Sequence, residues 1–493
     1  MTDIDFRSRF TLARPYSSSQ SAGDVAAAPV PNRIADVSSL RKAYESDRGR
    51  IINSAAIRRL QQKTQVFALE RNAAVRSRLT HSLEVQQTGR FIVQKIFELL
   101  GDDAEQYQLS QFERPLETLV EMACLMHDVG NPPFGHFGEA AISDWFEHHL
   151  PQIANEFVEQ QPRLFQDISH FEGNAQGIRL MQSLLSLNLT YSQLAGILKY
   201  TRAGDVPKSD IPDDKHYLMK KVGYYASERS FVTELWQQLE MTRDCRHPVS
   251  YIMEAADDIS YCLADIEDAV EKGIISLASL QQALIQQYEA LKMSHDVGNH
   301  ADLMQRAIEF AAKKSAQIDI NHTSQFFTFL RVKLIHPLVD HAAQRFIDNI
   351  EGIFHGTLNS ALLEDNSYCH AITDTLKRVA RDKVFNHREI EKLELQGYHI
   401  ISSLLDHYAP LLAMSSDGFI DLVNGMTHKP LIAARLLHRL PQKHLATYKK
   451  AIKNGSDDTL PEFYHRCRLI QDYISGMTDQ FAQDEYRMMQ ALD

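Results

Sequence analysis

Apolar positions recur every three or four residues along most of the chain, which is the pattern of helices with one buried face. This spacing predicts helices over 79–100, 115–127, 175–199, 251–272, 325–350, 391–413 and 462–490. Clusters of turn-forming residues separate several of these segments, for example Gly130-Asn131-Pro132-Pro133. No internal repeat and no convincing series of strand-like alternation occurs. The pattern therefore predicts an all-α fold, with a small β-hairpin left open and not placed.

The same pattern divides the chain into three parts. Residues 16–32 are rich in Ser, Ala and Pro without periodicity, so residues 1–35 are expected to form a flexible arm. Segments rich in chemical groups fall within 36–295, the expected catalytic core. Residues 296–493 are expected to add further helices that pack on this core.

Composition restricts the class of protein. The chain has 493 residues, 44% of them hydrophobic and 24% charged, as in ordinary soluble globular proteins. No apolar run approaches the roughly 18 residues that span a membrane, and the first ten residues lack an apolar signal core. The five cysteines are far apart and form no CxxC pair, which argues against a disulfide framework or a thiolate zinc site. We therefore expect a cytoplasmic protein without a membrane partner.

Charge is distributed unevenly. The net charge of −12 argues against a protein that is basic throughout. Residues 41–90, however, contain eleven Lys or Arg against four acids, a local charge of +7. This segment is either a solvated basic face or a site for a polyanion, whose phosphate oxygens match arginine forks.

Metal-binding residue types occur at a helix end. The predicted helix 115–127 stops at His127-Asp128, just before the glycine and prolines of the next turn. An imidazole nitrogen and a carboxylate oxygen both suit a divalent ion. Alone, such a pair is more often a helix cap or a surface feature. A second histidine, His81, lies near the start of the predicted helix 79–100.

The segment 251–271 supplies carboxylates. Asp257, Tyr261 and Asp265 follow one another at four-residue intervals and share the face opposite the apolar stripe. The segment contains seven acids and neither Lys nor Arg, so like charges would repel on an ordinary surface helix. A bound cation, or basic groups from 41–90, would relieve this repulsion.

The order His81, His127-Asp128, Asp257 resembles the H…HD…D metal signature of the HD-domain phosphohydrolases. Longer segments are similar to the bacterial dGTP triphosphohydrolases, from about residue 44 to residue 479: HDVGNPPFGHFGEAAI, HFEGNAQGIRL, ILKYTR, YLMKKVGYY, MEAADDISYCLADIEDAVEK and RCRLIQDYISGMTD. The resemblance implies an HD-domain core over 36–295. It also implies hydrolysis of dGTP at the α-phosphorus to deoxyguanosine and triphosphate, a homohexamer, and single-stranded DNA as an activator bound by the basic segment.

The resemblance further implies a metal centre formed by His81, His127, Asp128 and Asp257. Asp257 is preferred to Asp258 because the family has a tyrosine four residues after this ligand, as Tyr261 is here. Mg²⁺ is the expected ion, and Mn²⁺ or Co²⁺ would also suit the mixed shell.

His136 and Glu139 match the family's catalytic pair. Three residues separate them, so they come within reach if the chain makes a helical turn there. The alternative is a loop histidine that caps the next helix.

The remaining matched positions are expected to contact substrate: Gln65, Arg78, His170, Lys199, Lys220 (or its neighbour Lys221), Tyr261 and Asp265. The alternatives are ordinary solvated bases for the Arg and Lys residues, a buried hydrogen-bonding role for His170 and Asp265, a helix-end polar residue for Gln65 and an amphipathic surface tyrosine for Tyr261. Of these, Gln65 matches a contact to the sugar 3′-hydroxyl, and Tyr261 matches a residue that packs on the deoxyribose and leaves little room for a 2′-hydroxyl.

Three other functions stay open. They are a broad-specificity dNTP triphosphohydrolase with a regulatory site, a nucleic-acid-binding protein with a degenerate HD site, and a metal-dependent phosphodiesterase. Asn131 stands where some HD hydrolases have a lysine, and no additional histidine pair is evident, which favours a single metal. The identity of the product distinguishes these activities.

Overall fold

The computed structural model describes residues 4–16, 36–70, 72, 74–318, 320–453 and 460–491. Over these residues the fold is all-α, as predicted. The α-helices are α1 Val37–Ile52, α2 Ala55–Leu60, α3 Arg78–Leu100, α4 Glu113–Met126, α5 Gly135–Ile153, α6 Asn155–Gln160, α7 Pro162–Ser169, α8 Gly173–Arg179, α9 Tyr191–Ala195, α10 Arg229–Gln238, α11 Pro248–Glu271, α12 Leu277–Leu291, α13 Leu303–Ser315, α14 His322–Asp348, α15 Ile350–His355, α16 Tyr368–Ala380, α17 Arg388–Leu412, α18 Ser416–Val423, α19 Leu431–Leu437, α20 Gln442–Lys453, α21 Glu462–Ser475 and α22 Asp479–Met489. None of these helices is long and apolar enough to cross a membrane.

Two predicted long helices are interrupted. The segment 175–199 contains α8, a π-helical turn over Leu180–Leu184 and the short α9. The segment 462–490 divides into α21 and α22, and Thr478 caps α22 by accepting a hydrogen bond from the backbone of Phe481. Periodicity continues through both interruptions because the residues on either side bury apolar side chains in the same core.

The two short strands do not form the β-hairpin that the pattern left open. β1 (Arg202–Ala203) and β2 (Val222–Tyr224) pair in parallel. A hairpin joins antiparallel neighbours, whereas a parallel pair requires a crossover connection, here residues 204–221.

Two large hydrophobic cores, accompanied by two small apolar clusters, account for the packing of the described residues. The larger core joins α3, α4 and α11 with α12–α16, so apolar packing continues across residue 295 without a break. The second core joins α5 and α7 with α17–α22. The segment 296–493 thus contributes to both cores.

The N-terminal segment also contributes to the larger core. Phe6 and Phe10 are buried, and Arg9 donates hydrogen bonds to the backbone carbonyls of Leu239 and Phe354. Residues 4–16 of the expected arm are therefore packed, while residues 17–35 lie outside the described part of the chain.

Candidate metal centre and active site

Three predicted metal ligands meet where α3, α4 and α11 converge. Nε2 of His81 lies 3.2 Å from Oδ1 of Asp257, and Nε2 of His127 lies 3.5 Å from the same oxygen. Ligand atoms of these three residues all lie within 4.8 Å of one another. Capping of α3 by Ser77 fixes the first turn of that helix, which carries Arg78 and His81.

Hydrogen bonding prepares His127 to bind a metal. Its Nδ1 lies 2.7 Å from the backbone carbonyl of Cys124 and therefore carries the proton. In the neutral ring Nε2 keeps a lone pair directed at the cluster, the arrangement that orients metal-bound histidines, whereas a ring protonated on both nitrogens carries a positive charge beside the carboxylates.

Electrostatics keeps the cluster's carboxylates ionised. Burial alone would raise the pKa of Asp257, but the neighbouring His127 and His81 outweigh burial and hold that pKa below its usual range. For Asp128, His127 and Arg78 likewise outweigh the effect of burial and lower the pKa. Both groups are therefore anionic at neutral pH, as ligands of a divalent ion must be.

Asp128 lies at the edge of the cluster. Its Oδ1 is 3.6 Å from Nε2 of His127 and accepts a hydrogen bond of 2.6 Å from the amide of Asn131. Its Oδ2 accepts one of 2.8 Å from Arg78. Because an ionised carboxylate has about four lone-pair sites, Asp128 can keep these bonds and still coordinate. Two imidazoles and two carboxylates therefore fit a hard divalent ion with open positions.

His136 and Glu139 form the expected pair. α5 begins at Gly135, and this turn places Nδ1 of His136 3.2 Å from Oε2 of Glu139. The backbone N–H of Gly173 donates to Oε1 of Glu139 over 2.8 Å and fixes that carboxylate. The His136 side chain is 82% exposed. It makes no capping hydrogen bond, since the cap position of α5 belongs to Phe134, so the helix-cap alternative is not supported.

A cavity of about 490 Å³ opens onto these groups. Its wall contains most of the positions that the sequence indicated: Gln65, Arg78, His127, Asp128, His136, Glu139, Lys199, Lys221, Asp257 and Tyr261. Lys199 remains a cation there. Burial lowers its pKa, but the carboxylate of Glu254, 3.4 Å away, more than compensates.

Four indicated residues lie outside this wall. His81 and Asp265 are fully buried behind it, and burial raises the pKa of Asp265 to about 8. His170 is exposed, and its Nδ1 lies at a hydrogen-bonding distance of 2.9 Å from the backbone carbonyl of Gln166. Lys220 is exposed above the ring of Tyr217, whereas its neighbour Lys221 lines the cavity.

The residues of the far wall of the cavity were not predicted from the sequence. Residues from the second half of the chain complete it: Lys377, Phe385, Leu393 and Glu394. The ring of Phe385 lies 6.3 Å from that of Tyr261, and Nζ of Lys377 lies 3.2 Å from Asp258. No motif marks these positions, because only tertiary packing brings α16 and α17 to α11.

Ion pairs relieve the acidic stretch of α11. Arg76, which belongs to the basic segment 41–90, contacts Glu267 and Asp268. This agrees with the expectation that basic groups from 41–90 relieve the repulsion. Glu254 pairs with Arg246 at 2.7 Å as well as with Lys199. Asp257 instead faces the two histidines.

Fold and site together define a metal-dependent phosphohydrolase of the HD class. The family model described as HD domain matches residues 78–181, and that described as phosphohydrolase-associated domain matches residues 420–488.

Full-length relatives refine this class. A probable deoxyguanosinetriphosphate triphosphohydrolase of Pseudomonas aeruginosa is 53% identical over 99% of both chains. The deoxyguanosinetriphosphate triphosphohydrolases of Cronobacter sakazakii and Yersinia pseudotuberculosis are 46% and 47% identical over 100% of both chains. The chain belongs to the deoxyguanosinetriphosphate triphosphohydrolase family.

Proposed function

We propose that this protein hydrolyses dGTP to deoxyguanosine and inorganic triphosphate. One observation carries the proposal: the His/Asp cluster and the His136–Glu139 pair open into a single cavity large enough for a nucleotide. The names of the full-length relatives indicate the substrate.

The divalent ion, for which we propose Mg²⁺, would be held by His81, His127, Asp128 and Asp257 and would polarise the α-phosphate. His136 positions the attacking water and takes its proton, while Glu139 orients the imidazole and stabilises its charged form. The water oxygen bonds to the α-phosphorus as the bond to the sugar 5′-oxygen breaks. The 5′-oxygen takes a proton from solvent water and leaves as deoxyguanosine, the three phosphates leave together, and His136 returns its proton to solvent.

Cationic side chains of the wall bind the triphosphate. Lys199 and Lys221 face the cavity as cations, the second one 3.3 Å from Glu172. Arg78 holds Asp128 and stands beside the expected α-phosphate position. These charges offset those of the triphosphate.

The order of groups along the cavity orients the nucleoside. The ring of Tyr261 lies between His81 and Phe385, 6.3 Å from each ring. With the phosphates at the metal cluster, we propose that the deoxyribose packs on Tyr261 and that the base reaches Phe385 and Glu394 in the same wall. We propose that the Glu394 carboxylate accepts hydrogen bonds from the N1–H and 2-amino groups of guanine.

Substitution Glu394→Gln tests this base contact. The amide presents a donor to the guanine donors, so kcat/KM for dGTP should fall by about tenfold to a hundredfold, the value of one bidentate base contact. kcat/KM for dATP should change far less. Glu389→Gln, an exposed position in the first turn of α17, is the matched control. Equal loss with both bases would contradict the contact.

Product analysis tests the reaction itself. The purified protein is incubated with Mg²⁺ or Mn²⁺ and each dNTP or NTP, and the products are resolved by ion exchange. Triphosphate formed fastest from dGTP is the expected result. Triphosphate from all four dNTPs would indicate a broad-specificity enzyme, a monophosphate product would indicate a phosphodiesterase, and no turnover would favour a binding protein.

We also propose that the protein is a cytoplasmic homo-oligomer, a hexamer by family resemblance, that binds single-stranded DNA. Exposed cations on α1 and α2, namely Arg41, Lys42, Arg50 and Arg58, support the DNA contact. Affinity for an oligonucleotide should fall steeply between about 50 and 200 mM salt, because phosphate contacts release counterions. Fluorescence anisotropy measures this, and a salt-independent affinity would contradict electrostatic binding.

A further inference from the structure

The join between α21 and α22, by which we mean Ser475 to Asp479, belongs to the second core and contacts the loops of the active site. Asp479, the first residue of α22, is 2% exposed. Its Oδ2 accepts hydrogen bonds from the backbone N–H and the hydroxyl of Thr64, at 2.9 and 2.5 Å. Its Oδ1 accepts one from the backbone N–H of Phe134 at 3.2 Å. One buried carboxylate thus connects two loops that are seventy positions apart in sequence.

Lys63 reinforces the same join. Its side chain is buried, and Nζ donates to the backbone carbonyls of Asn131 at 2.5 Å and Ser475 at 3.0 Å. Buried polar groups that are fully hydrogen-bonded tend to rigidify their surroundings. Lys63 and Asp479 together therefore hold the loop 128–134 against the last two helices.

Each loop held in this way carries part of the site. Asn131 donates to the ligand Asp128, and Phe134 immediately precedes the helical turn that carries His136. Thr64 precedes Gln65, and the carbonyl of Lys63 accepts the backbone N–H of Arg78 at 2.9 Å. A shift of Asp479 would therefore reach the metal ligands, the catalytic pair and the substrate wall.

Phe134 is the most constrained part of the join. Its φ of 62° is left-handed, a conformation that is costly for a residue with a bulky side chain. Its ring packs on Gly397 of α17 so closely that a Cβ there would lie 2.5 Å from Cγ of Phe134. Asp479 from one side and Gly397 from the other thus fix the backbone from which α5 begins.

We propose that Asp479 is a positioning residue. Its bond to Phe134 holds the first turn of α5 so that the His136 imidazole faces the metal cluster. This inference rests on the proposed function for its chemistry, since His136 is the group being placed. Asp479 itself does not line the cavity, and its side-chain hydrogen bonds go to Thr64 and Phe134.

Substitution Asp479→Asn tests the inference in the full-length protein. An amide has one acceptor oxygen and presents an NH₂ group to an N–H donor, so the bonds to Thr64 and Phe134 cannot both persist. kcat for dGTP should fall by about tenfold to a hundredfold, the usual effect of losing a group that orients a site residue. KM should change by less than about threefold. Amide hydrogen exchange in peptides covering 130–138 should become faster.

Two further variants separate positioning from stability. Glu485→Gln alters a carboxylate on the same helix that is also 2% exposed and pairs with Arg439 and Tyr408 away from the cavity. It should lower Tm while kcat and exchange at 130–138 stay unchanged. Gly397→Ala should displace Phe134 through its ring and reproduce the kcat loss. An unchanged kcat in this variant would contradict the link between the position of Phe134 and catalysis even if Asp479→Asn does not fold.

A purely structural role would give a different result. Asp479→Asn would then resemble Glu485→Gln, with a lower Tm, kcat within twofold of the unsubstituted protein and unchanged exchange at 130–138, and the proposal would be overturned. If the unsubstituted protein releases no triphosphate, the proposed function fails by itself. The exchange comparison still decides whether Asp479 holds the loop.

Discussion

Replacement of Asp257 by alanine is expected to reduce release of triphosphate from dGTP by at least about a thousandfold. Oδ1 of Asp257 is the atom shared by both histidines, at 3.2 Å from His81 and 3.5 Å from His127. Its loss would remove the proposed central ligand and a negative charge that would offset that of a divalent cation. A bound metal contributes several kcal/mol to catalysis, and each 1.4 kcal/mol corresponds to a factor of ten in rate.

The adjacent Asp258 provides a matched control. Its carboxylate lines the same cavity but pairs with Lys377 at 3.2 Å, outside the histidine cluster. Asp258→Ala should retain turnover within about tenfold, the scale of one lost charge contact. Steady-state kinetics combined with calorimetric titration of Mn²⁺ measures both effects. Equal losses in two folded variants would refute the choice of Asp257 as ligand.

The second large effect is expected for His136→Ala. A positioned general acid or base contributes about 10²- to 10⁴-fold to rate, so kcat should fall by that factor. Affinity for Mn²⁺ should stay the same, because the His136 ring lies outside the group of ligand atoms formed by His81, His127 and Asp257. This split between kcat and metal affinity separates His136 from the ligands.

The control for His136 lies on the same helix. His148 is exposed on α5, and its ring lies 2.6 Å from the local carbonyl of Asp144. His148→Ala should keep the kcat of the unsubstituted protein. The kcat of Glu139→Gln should lie between those of His136→Ala and His148→Ala, since the substitution weakens the orientation of the imidazole without removing the imidazole. A His136→Ala enzyme with unchanged kcat would exclude this histidine from the mechanism.

Local geometry explains which parts of the site were predictable. Glu139 follows His136 by three residues, and Tyr261 follows Asp257 by four, so a helical turn alone brings each pair to one face. The predicted bounds of α3, α4 and α11 agree with the structure within three residues. Comparison with known motifs was needed to combine His81, His127-Asp128 and Asp257, because no local rule relates positions that distant.

Tertiary packing explains what was missed. Glu394 and Phe385 reach the cavity only because α16 and α17 pack against elements more than a hundred residues earlier. Lys220 and Lys221 are neighbours of the same type, and only the course of the backbone after β1 directs the second one inward. The sequence was enough to pair His136 with Glu139. It does not indicate the left-handed backbone of Phe134, from which α5 begins, except through the prolines that precede it.

The arrangement of the two cores has a consequence for biosynthesis. All proposed metal ligands have been translated once residue 257 is made, yet the far wall of the cavity and Asp479 follow 120 to 222 residues later. Domains fold as units during synthesis, but here α16, α17 and α22 complete an active site that helices made much earlier begin. A ribosome-bound chain that already carries the entire proposed metal-binding signature should therefore not hydrolyse dGTP until its last helices have emerged.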